Sequence, residues 1–158
     1  MQDITLTIDK SQVWNEVAKA TAYTGAKMVS GEDPGAYDRI STTDQDREMM
    51  ERFWVEACQL MTQQLKEHVK TVATQEIHHG VDLESDYAVT LRVADSYPTA
   101  LNDAVLGNLT SFVIATVLSK WFRLANKGET EAYATEASAY LLAAVDLLFN
   151  RKRPTRPS

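Results

Sequence analysis

One stretch of the sequence carries a stronger helical pattern than any other. No glycine or proline interrupts the chain between Thr43 and Gln75, and apolar side chains recur at three- and four-residue steps. The pattern predicts a helix over 43–73 that begins at Thr43 or Asp44, has an acidic first turn and is about 46 Å long. We therefore expect one long central helix. Its apolar positions are Met50, Phe53, Trp54, Ala57, Leu60, Met61, Leu65, His68, Val69 and Val72.

Two short segments alternate between apolar and polar residues, as half-buried strands do. They are 3–8, with Ile4, Leu6 and Ile8 on one face, and 86–94, with Tyr87, Val89, Leu91 and Val93 on one face. Because each segment is the other's only obvious partner, the sequence predicts a small two-stranded ribbon. Such a ribbon is marginal in water, so it must pack on helices or pair with another molecule.

Three further helices complete the predicted fold. Asp9 and Gln12 have the spacing of a capping box and begin a helix that ends near Gly25 or Met28, before a loop at 30–42. A helix from about Ala100 to Ala125 follows Pro98, and another runs from about Glu129 to Asn150. We predict a mainly α fold: a four-helix assembly with one long central helix and a small two-stranded β ribbon. The last helix places these residues inward: Tyr133, Ala137, Tyr140, Leu141, Ala144, Val145, Leu148 and Phe149.

Length and composition narrow the class of protein. The chain has 158 residues, 44% hydrophobic and 24% charged, which is typical of one globular domain with its own core. We assign 1–150 to a single helical domain and 151–158 to a tail. The single cysteine, Cys58, excludes an internal disulfide and cysteine-rich metal sites. The uncharged run 104–119 is shorter than the ~20 apolar residues of a spanning helix, so we expect a buried helix and no membrane contact.

One candidate metal site stands out by its spacing. Glu76 and His79 form a Glu-x-x-His pair, which can bring a carboxylate and an imidazole to one metal ion on a helix face. A di-iron bundle needs two such pairs and further glutamates, and this chain has one pair. The alternative interpretation is a polar helix end, which we favour. We therefore predict no metal and no cofactor.

Other candidate catalytic groups have simpler explanations. Glu48 and Glu51 have the spacing of a magnesium-binding Glu-x-x-Glu pair, but no second acidic pair follows, and a solvated helix face accounts for both. Cys58 lies beside the apolar stripe, where cysteines are usually inert. We interpret Trp14, Trp54 and Trp121 as core residues, and expect Phe122 and Arg123 at the surface. The sequence thus predicts a protein that is not an enzyme.

The charge distribution is asymmetric along the chain. The net charge is −6, but residues 151–158 hold four of the 16 cations and no acid, so 1–150 has 12 positive and 22 negative charges, a net of −10. A basic arm on an acidic body can bind a neighbouring subunit's acidic surface or touch nucleic acid, although it can also be simply solvated. An acidic body does not suit a general nucleic-acid coat. The candidate partner-binding residues are Arg151, Lys152, Arg153 and Arg156.

The order of these elements resembles one family, the head–tail connector proteins (head-completion or neck adaptors) of tailed bacteriophages, in the version found in prophages of gut bacteria. A short helix and a D-x-D helix start precede a long amphipathic helix in that family. The residues that carry the resemblance are Tyr23-Thr24-Gly25, Tyr37-Asp38-Arg39-Ile40, Thr42-Thr43-Asp44-Gln45-Asp46-Arg47-Glu48-Met49-Met50, Tyr87 to Val93, Pro98, Trp121-Phe122 and Asn150-Arg151-Lys152-Arg153-Pro154.

The resemblance implies a structural role. Such a protein forms a homo-oligomeric ring that joins the portal to the tail and leaves a channel through which DNA passes without sequence-specific binding. It would be found in the cytoplasm of the bacterial host during assembly and then in the virion neck. The arm 151–156 would dock on a neighbour, the portal or the tail, and the ribbon and loop 30–42 would be further contact elements.

Two other classes of function stay open at this point. One is a small metal-dependent helical-bundle enzyme that uses Glu76 and His79; the other is a cytosolic helical protein-interaction module. Changing His79 to Ala would abolish activity in the enzyme and leave assembly of a connector intact. Neighbouring genes would separate a connector from an unrelated interaction module, because connectors lie beside portal and capsid genes.

Overall fold

Four helices and a small antiparallel sheet make up the described part of the protein. The computed structural model describes residues 1–29, 46–73, 86–125 and 127–149. The mainly α class predicted from the sequence is confirmed. In chain order the elements are β1 (Gln2–Ile8), α1 (Lys10–Val29), α2 (Arg47–Gln64), β2 (Val69–Ala73), β3 (Tyr87–Val93), a 3₁₀ turn (Thr99–Leu101), α3 (Asn102–Ala125) and α4 (Lys127–Leu148).

The start of α1 follows directly from the local sequence. The Asp9 carboxylate oxygen Oδ1 accepts hydrogen bonds from the backbone N–H groups of Ser11 at 2.9 Å and Gln12 at 3.3 Å. These two donors have no partner within the helix, and Asp9 satisfies them as an N-cap residue. The predicted capping role of Asp9 is therefore confirmed.

The prediction of one continuous helix over 43–73 is wrong in its second half. α2 ends at Gln64, where the N–H of Leu65 is shared between the carbonyls of Met61 and Thr62 at 3.0 and 3.2 Å. After a turn, the chain enters β2 at Val69. The predicted start at Thr43 or Asp44 lies outside the described residues.

The reason for this early end is tertiary. The segment Val69–Ala73 contains two valines and a threonine, whose branched side chains suit a strand. It pairs antiparallel with β3, which sets Val69 opposite Leu91 and Val72 opposite Val89. A periodicity of three and four had placed Val69 and Val72 on a helix face, but a free edge of β3 stabilises the same residues as a strand.

The ribbon is consequently a three-stranded sheet in the order β1-β3-β2. The predicted pairing of the first strand with the 86–94 segment is confirmed: β1 and β3 are antiparallel, with Gln2 opposite Val93 and Ile8 opposite Tyr87. β3 is therefore the central strand, and β1 and β2 are its edges. The predicted two-stranded ribbon lacked only β2.

α3 lies at the centre of the core. Its residues Leu109, Val113 and Val117 are fully buried, and it packs against the inner face of the sheet, α1, α2 and α4. The rings of Phe122 on α3 and Tyr133 on α4 stack with centroids 5.4 Å apart. The central helix is thus α3, not the 43–73 segment. The buried side chains of the sheet are Ile4, Leu6, Ile8, Tyr87, Val89, Leu91 and Val93.

The outer face of the sheet is polar. The hydroxyls of Thr5 and Thr90, opposite each other on β1 and β3, are 3.1 Å apart. The carboxylate of Asp3 receives Lys70 Nζ at 2.6 Å and lies 3.6 Å from Arg92 Nε. One face of the sheet is therefore committed to the core and the other to water, as is common for antiparallel sheets.

Candidate interaction surface

The predicted site residues fall largely beyond the described ranges. The four tail cations Arg151, Lys152, Arg153 and Arg156 and the metal-site candidates Glu76 and His79 lie outside the described residues. Within the described ranges, no group of three or more His, Cys, Asp and Glu side chains could hold a metal ion.

His68, the described member of the three histidines, has a structural contact. Its Nδ1 lies 3.2 Å from the carbonyl oxygen of Arg92, and its ring meets Phe149 edge-on with centroids 4.7 Å apart. It therefore links the start of β2 to the end of α4. Phe149, predicted to point inward, is instead 49% exposed.

The two glutamates of the Glu-x-x-Glu pair have different surroundings. Glu48 is exposed, as predicted, but Glu51 turns inward and forms an ion pair with Lys10. The solvated-face interpretation is therefore wrong for Glu51. The Lys10 ammonium also lies 5.8 Å from the ring centroid of Trp54. Solvent therefore accounts for the charge of Glu48, and the ion pair with Lys10 accounts for that of Glu51.

Cys58 is buried, as predicted, and is not poised for nucleophilic chemistry. Burial raises the pKa of its thiol far above the ordinary range, which disfavours the reactive thiolate. Its carbonyl oxygen accepts a hydrogen bond from the Thr62 hydroxyl at 2.8 Å, and that hydroxyl lies 2.7 Å from Tyr87 Oη. These polar groups join α2 to β3 within the core.

A groove runs along α3, between α2 on one side and α4 on the other. It consists of two adjoining depressions of about 230 and 240 Å³ that share Lys120 and Arg123. We call it the α3 groove. The first depression is lined by Phe53, Glu56, Lys120, Arg123 and Leu124, and the second by Leu60, Phe112, Thr116, Ser119, Lys120, Arg123, Ala134, Ala137 and Ser138.

The cations of the groove differ in their pairing. Lys120 Nζ lies 3.1 Å from Glu56, whose other oxygen accepts a hydrogen bond from Arg52 at 3.2 Å. Partial burial opposes ionisation of Glu56, but Lys120 and Arg52 outweigh it and hold its pKa below the ordinary range. Arg123 is exposed and forms no ion pair with any residue of the described ranges. No acidic side chain of the described residues thus neutralises Arg123.

Large apolar side chains remain exposed around this groove. Leu60 and Leu124, which line its two depressions, are 40% and 63% exposed. Single exposed leucines are ordinary, but two that line the same groove are consistent with a protein-contact surface.

The outward side of α4 has a different charge. Five exposed residues recur there at steps of three and four, so they share one face of the helix. We call this face the α4 stripe. Its members are Glu131, Thr135, Ala139, Leu142 and Asp146.

Sequence reasoning located part of this surface. Arg123 was expected to reach the surface and does so, whereas Phe122 was expected beside it and is fully buried against Tyr133. Trp54 and Trp121 are buried as predicted, and Trp14 is half-buried with its ring 6.5 Å from that of Trp54. The α3 groove was missed because residues of three separate helices line it.

One described segment, Thr99–Ala125, is long and apolar enough to cross a membrane by length and composition alone. Its buried face forms the centre of the core described above, which is the usual reason for such composition in a globular fold.

Comparisons with known proteins found no match to this chain. No protein-family model matches the chain, and no curated protein or solved structure matches it either.

Proposed function

We propose that this chain is a structural subunit of a phage or prophage head–tail connector, which forms a ring around the DNA channel between portal and tail. The α3 groove is the observation that carries the proposal, because it combines two exposed leucines with Arg123, which has no ion pair within the described residues. Surfaces of this composition suit a protein partner better than a small polar substrate.

A ring needs a head-to-tail contact, in which two different surfaces of the same subunit meet. The α3 groove and the α4 stripe supply two such surfaces with opposite charge. Arg123 and Lys120 border the groove, while on the stripe Asp146 lies one turn from the exposed Leu142 and Glu131 lies nearer the start of the helix. In the proposed ring, the α4 stripe of one subunit lies in the α3 groove of the next, with Leu142 against Leu60 and Asp146 facing Arg123.

The net charge fits the same role. A body with a net charge of −10 over 1–150 repels the DNA backbone, so a channel lined by it lets DNA slide without sticking. The basic residues of 151–156 would then bind an acidic surface on a neighbouring subunit, the portal or the tail.

Some of the sequence segments that carry the resemblance to connector proteins lie within the described helices and strands. Tyr23-Thr24-Gly25 belongs to the last turns of α1, and Asp46 immediately precedes α2. The remaining loop residues, 37–40, lie outside the described ranges. Within the described residues α1 has 20 residues and α2 has 18, so the second helix is not the longer of the two.

The proposal is tested by native mass spectrometry and negative-stain electron microscopy of the full chain, alone and with its cognate portal protein. We expect a metal-free closed ring, formed in solution or on the portal. Arg123→Glu should abolish the ring because it places acid against the acidic stripe, and adding Asp146→Lys should restore it. Lys19→Glu on α1, away from the groove, is the matched control.

A chain that neither self-assembles nor binds the portal contradicts the connector proposal. A stoichiometric metal ion in the same spectra would instead favour the metal-enzyme interpretation of Glu76 and His79. Loss of ring formation in Lys19→Glu as well as Arg123→Glu would show that overall charge, not the groove, decides assembly.

A further inference from the structure

β1 presents an open edge of the sheet. It pairs with β3 on one side, and no strand of the described ranges pairs with its other side. Outer-edge N–H and C=O groups of such a strand are a template for pairing with another chain. At seven residues, β1 is also longer than a typical protected edge strand.

The two edges of the sheet differ in how they are protected. β2 is five residues long, has a register irregularity between Val69 and Thr71, and carries Lys70 at that point. Short length, irregular register and lysine all hinder further pairing. β1 has a regular register with β3 and contains no proline or lysine. Its one charged residue, Asp3, is already neutralised by Lys70 and Arg92.

The sequence of β1 is complementary to itself in one antiparallel register. Alternation limits the choice, because directly opposite residues point to the same side of the sheet and the buried row must meet a buried row. Of the registers that satisfy this, the one centred on Thr5 pairs all seven residues of the strand. It sets Thr5 opposite Thr5, Ile4 opposite Leu6, Asp3 opposite Thr7 and Gln2 opposite Ile8 of the second strand.

Charge and burial are both compatible with this register. Asp3 faces a threonine hydroxyl, so no like charges meet, whereas a register centred on Asp3 would oppose two carboxylates. Ile4 and Leu6, each 5% exposed, would continue the buried row of the sheet into the second molecule. Met1, 75% exposed at the start of the strand, would gain cover beside the end of the partner strand.

We propose that β1 pairs antiparallel with β1 of a second copy of this chain, centred on Thr5, which makes a two-fold dimer with a continuous six-stranded sheet. The strand order is β2-β3-β1-β1-β3-β2. A two-fold contact closes on itself, so it is distinct from the head-to-tail contact of a ring. It does not rest on the connector proposal: the dimer can form whether or not the groove assembles a ring.

Cysteine cross-linking tests the register. Directly opposite residues have Cα atoms about 4.5–5.5 Å apart, within the range of a disulfide. Thr5→Cys should therefore give a disulfide-linked dimer under mild oxidation. Thr7→Cys is the matched control: it lies on the same exposed face, but its two copies are about 14 Å apart in this register. The wild-type chain, whose Cys58 is buried, supplies the baseline.

A charge series tests the same contact without a covalent bond. Thr5→Lys places two cations directly opposite each other at the dimer axis, and we expect dimer association to weaken about fivefold or more. Thr7→Lys instead faces the partner's Asp3 and should leave association equal or stronger. The measurement is sedimentation velocity across a concentration series, with circular dichroism to establish that each variant is folded.

Dimers of the wild type, cross-linking of Thr5→Cys alone, and selective weakening by Thr5→Lys are the expected results. The proposal is overturned if the wild type stays monomeric at every concentration. It is also overturned if Thr7→Cys cross-links as readily as Thr5→Cys, or if Thr5→Lys dimerises like Thr7→Lys. A dimer or ring disrupted by Arg123→Glu but not by Thr5→Lys would assign association to the α3 groove alone.

Discussion

Lys10, at the first turn of α1, and Glu51, on α2, form an ion pair in the interior of the protein. The side chain of Lys10 is 4% exposed and that of Glu51 is 16% exposed. The backbone N–H of Lys10 also donates to Asp86 Oδ1 at 3.0 Å, just before β3. One residue therefore ties the start of α1 to both α2 and the sheet.

Breaking this pair from one side should be strongly destabilising. Lys10→Met leaves the Glu51 carboxylate buried without its partner, which typically costs about 3–5 kcal/mol in the free energy of unfolding. The double variant Lys10→Met/Glu51→Leu removes both charges and should recover most of that loss. Urea denaturation measures both, and Lys19→Ala, which breaks an exposed pair on α1, should change stability by no more than about 1 kcal/mol. A double variant as unstable as the single one would contradict this account.

The raised pKa of Tyr87 predicts that the folded protein loses stability at alkaline pH. Burial raises the pKa of Tyr87 to about 12, although its hydrogen bond with Thr62 acts in the opposite direction. Since the folded-state pKa lies above the ordinary value of about 10, this contribution is fully present below pH 10 and is lost as pH rises through 12. Tyr87→Phe should flatten the decline in unfolding free energy above pH 10. Tyr23→Phe, at a site 71% exposed, should leave the wild-type decline unchanged.

Gly107 offers a simple gain in stability. It lies within α3, and a Cβ atom placed there would meet nothing within 4 Å. Gly107→Ala should therefore stabilise the protein by about 0.5–1 kcal/mol, because alanine loses less backbone entropy in a helix. Thermal unfolding should show a rise in Tm of about 1–4 °C. As a control, the reverse change at an exposed site of the same helix, Ala104→Gly, should lower Tm. An unchanged or lower Tm for Gly107→Ala would refute the prediction.

Cys58 should resist thiol reagents as long as the protein is folded. Its side chain is buried and its thiol is held protonated, so the thiolate needed for reaction is scarce. Mass spectrometry after iodoacetamide treatment should detect no adduct in native buffer and one adduct per chain in urea. Thr7→Cys supplies the exposed control, since its added thiol should react at once. Rapid native labelling of Cys58 would mean that α2 opens readily from the core.

Local sequence determined much of this fold, and it did so where one physical signal decided the structure. Alternation in 3–8 and 86–94 placed two strands and their pairing, because a half-buried strand must have that period. Asp9 fixed the start of α1 through two backbone donors that need an acceptor. The apolar composition of 104–119 identified the buried helix at the centre of the core.

Only tertiary structure decided the features that depend on residues far apart in the chain. Val69 and Val72 fit a helical stripe as well as a strand, and the free edge of β3 made them a strand. Glu51 carries no local mark of burial, since its partner Lys10 is 41 residues away. The α3 groove likewise exists only where three helices meet. Local patterns fix elements because their hydrogen bonds are local, whereas ion pairs, sheet edges and grooves form only when distant segments pack together.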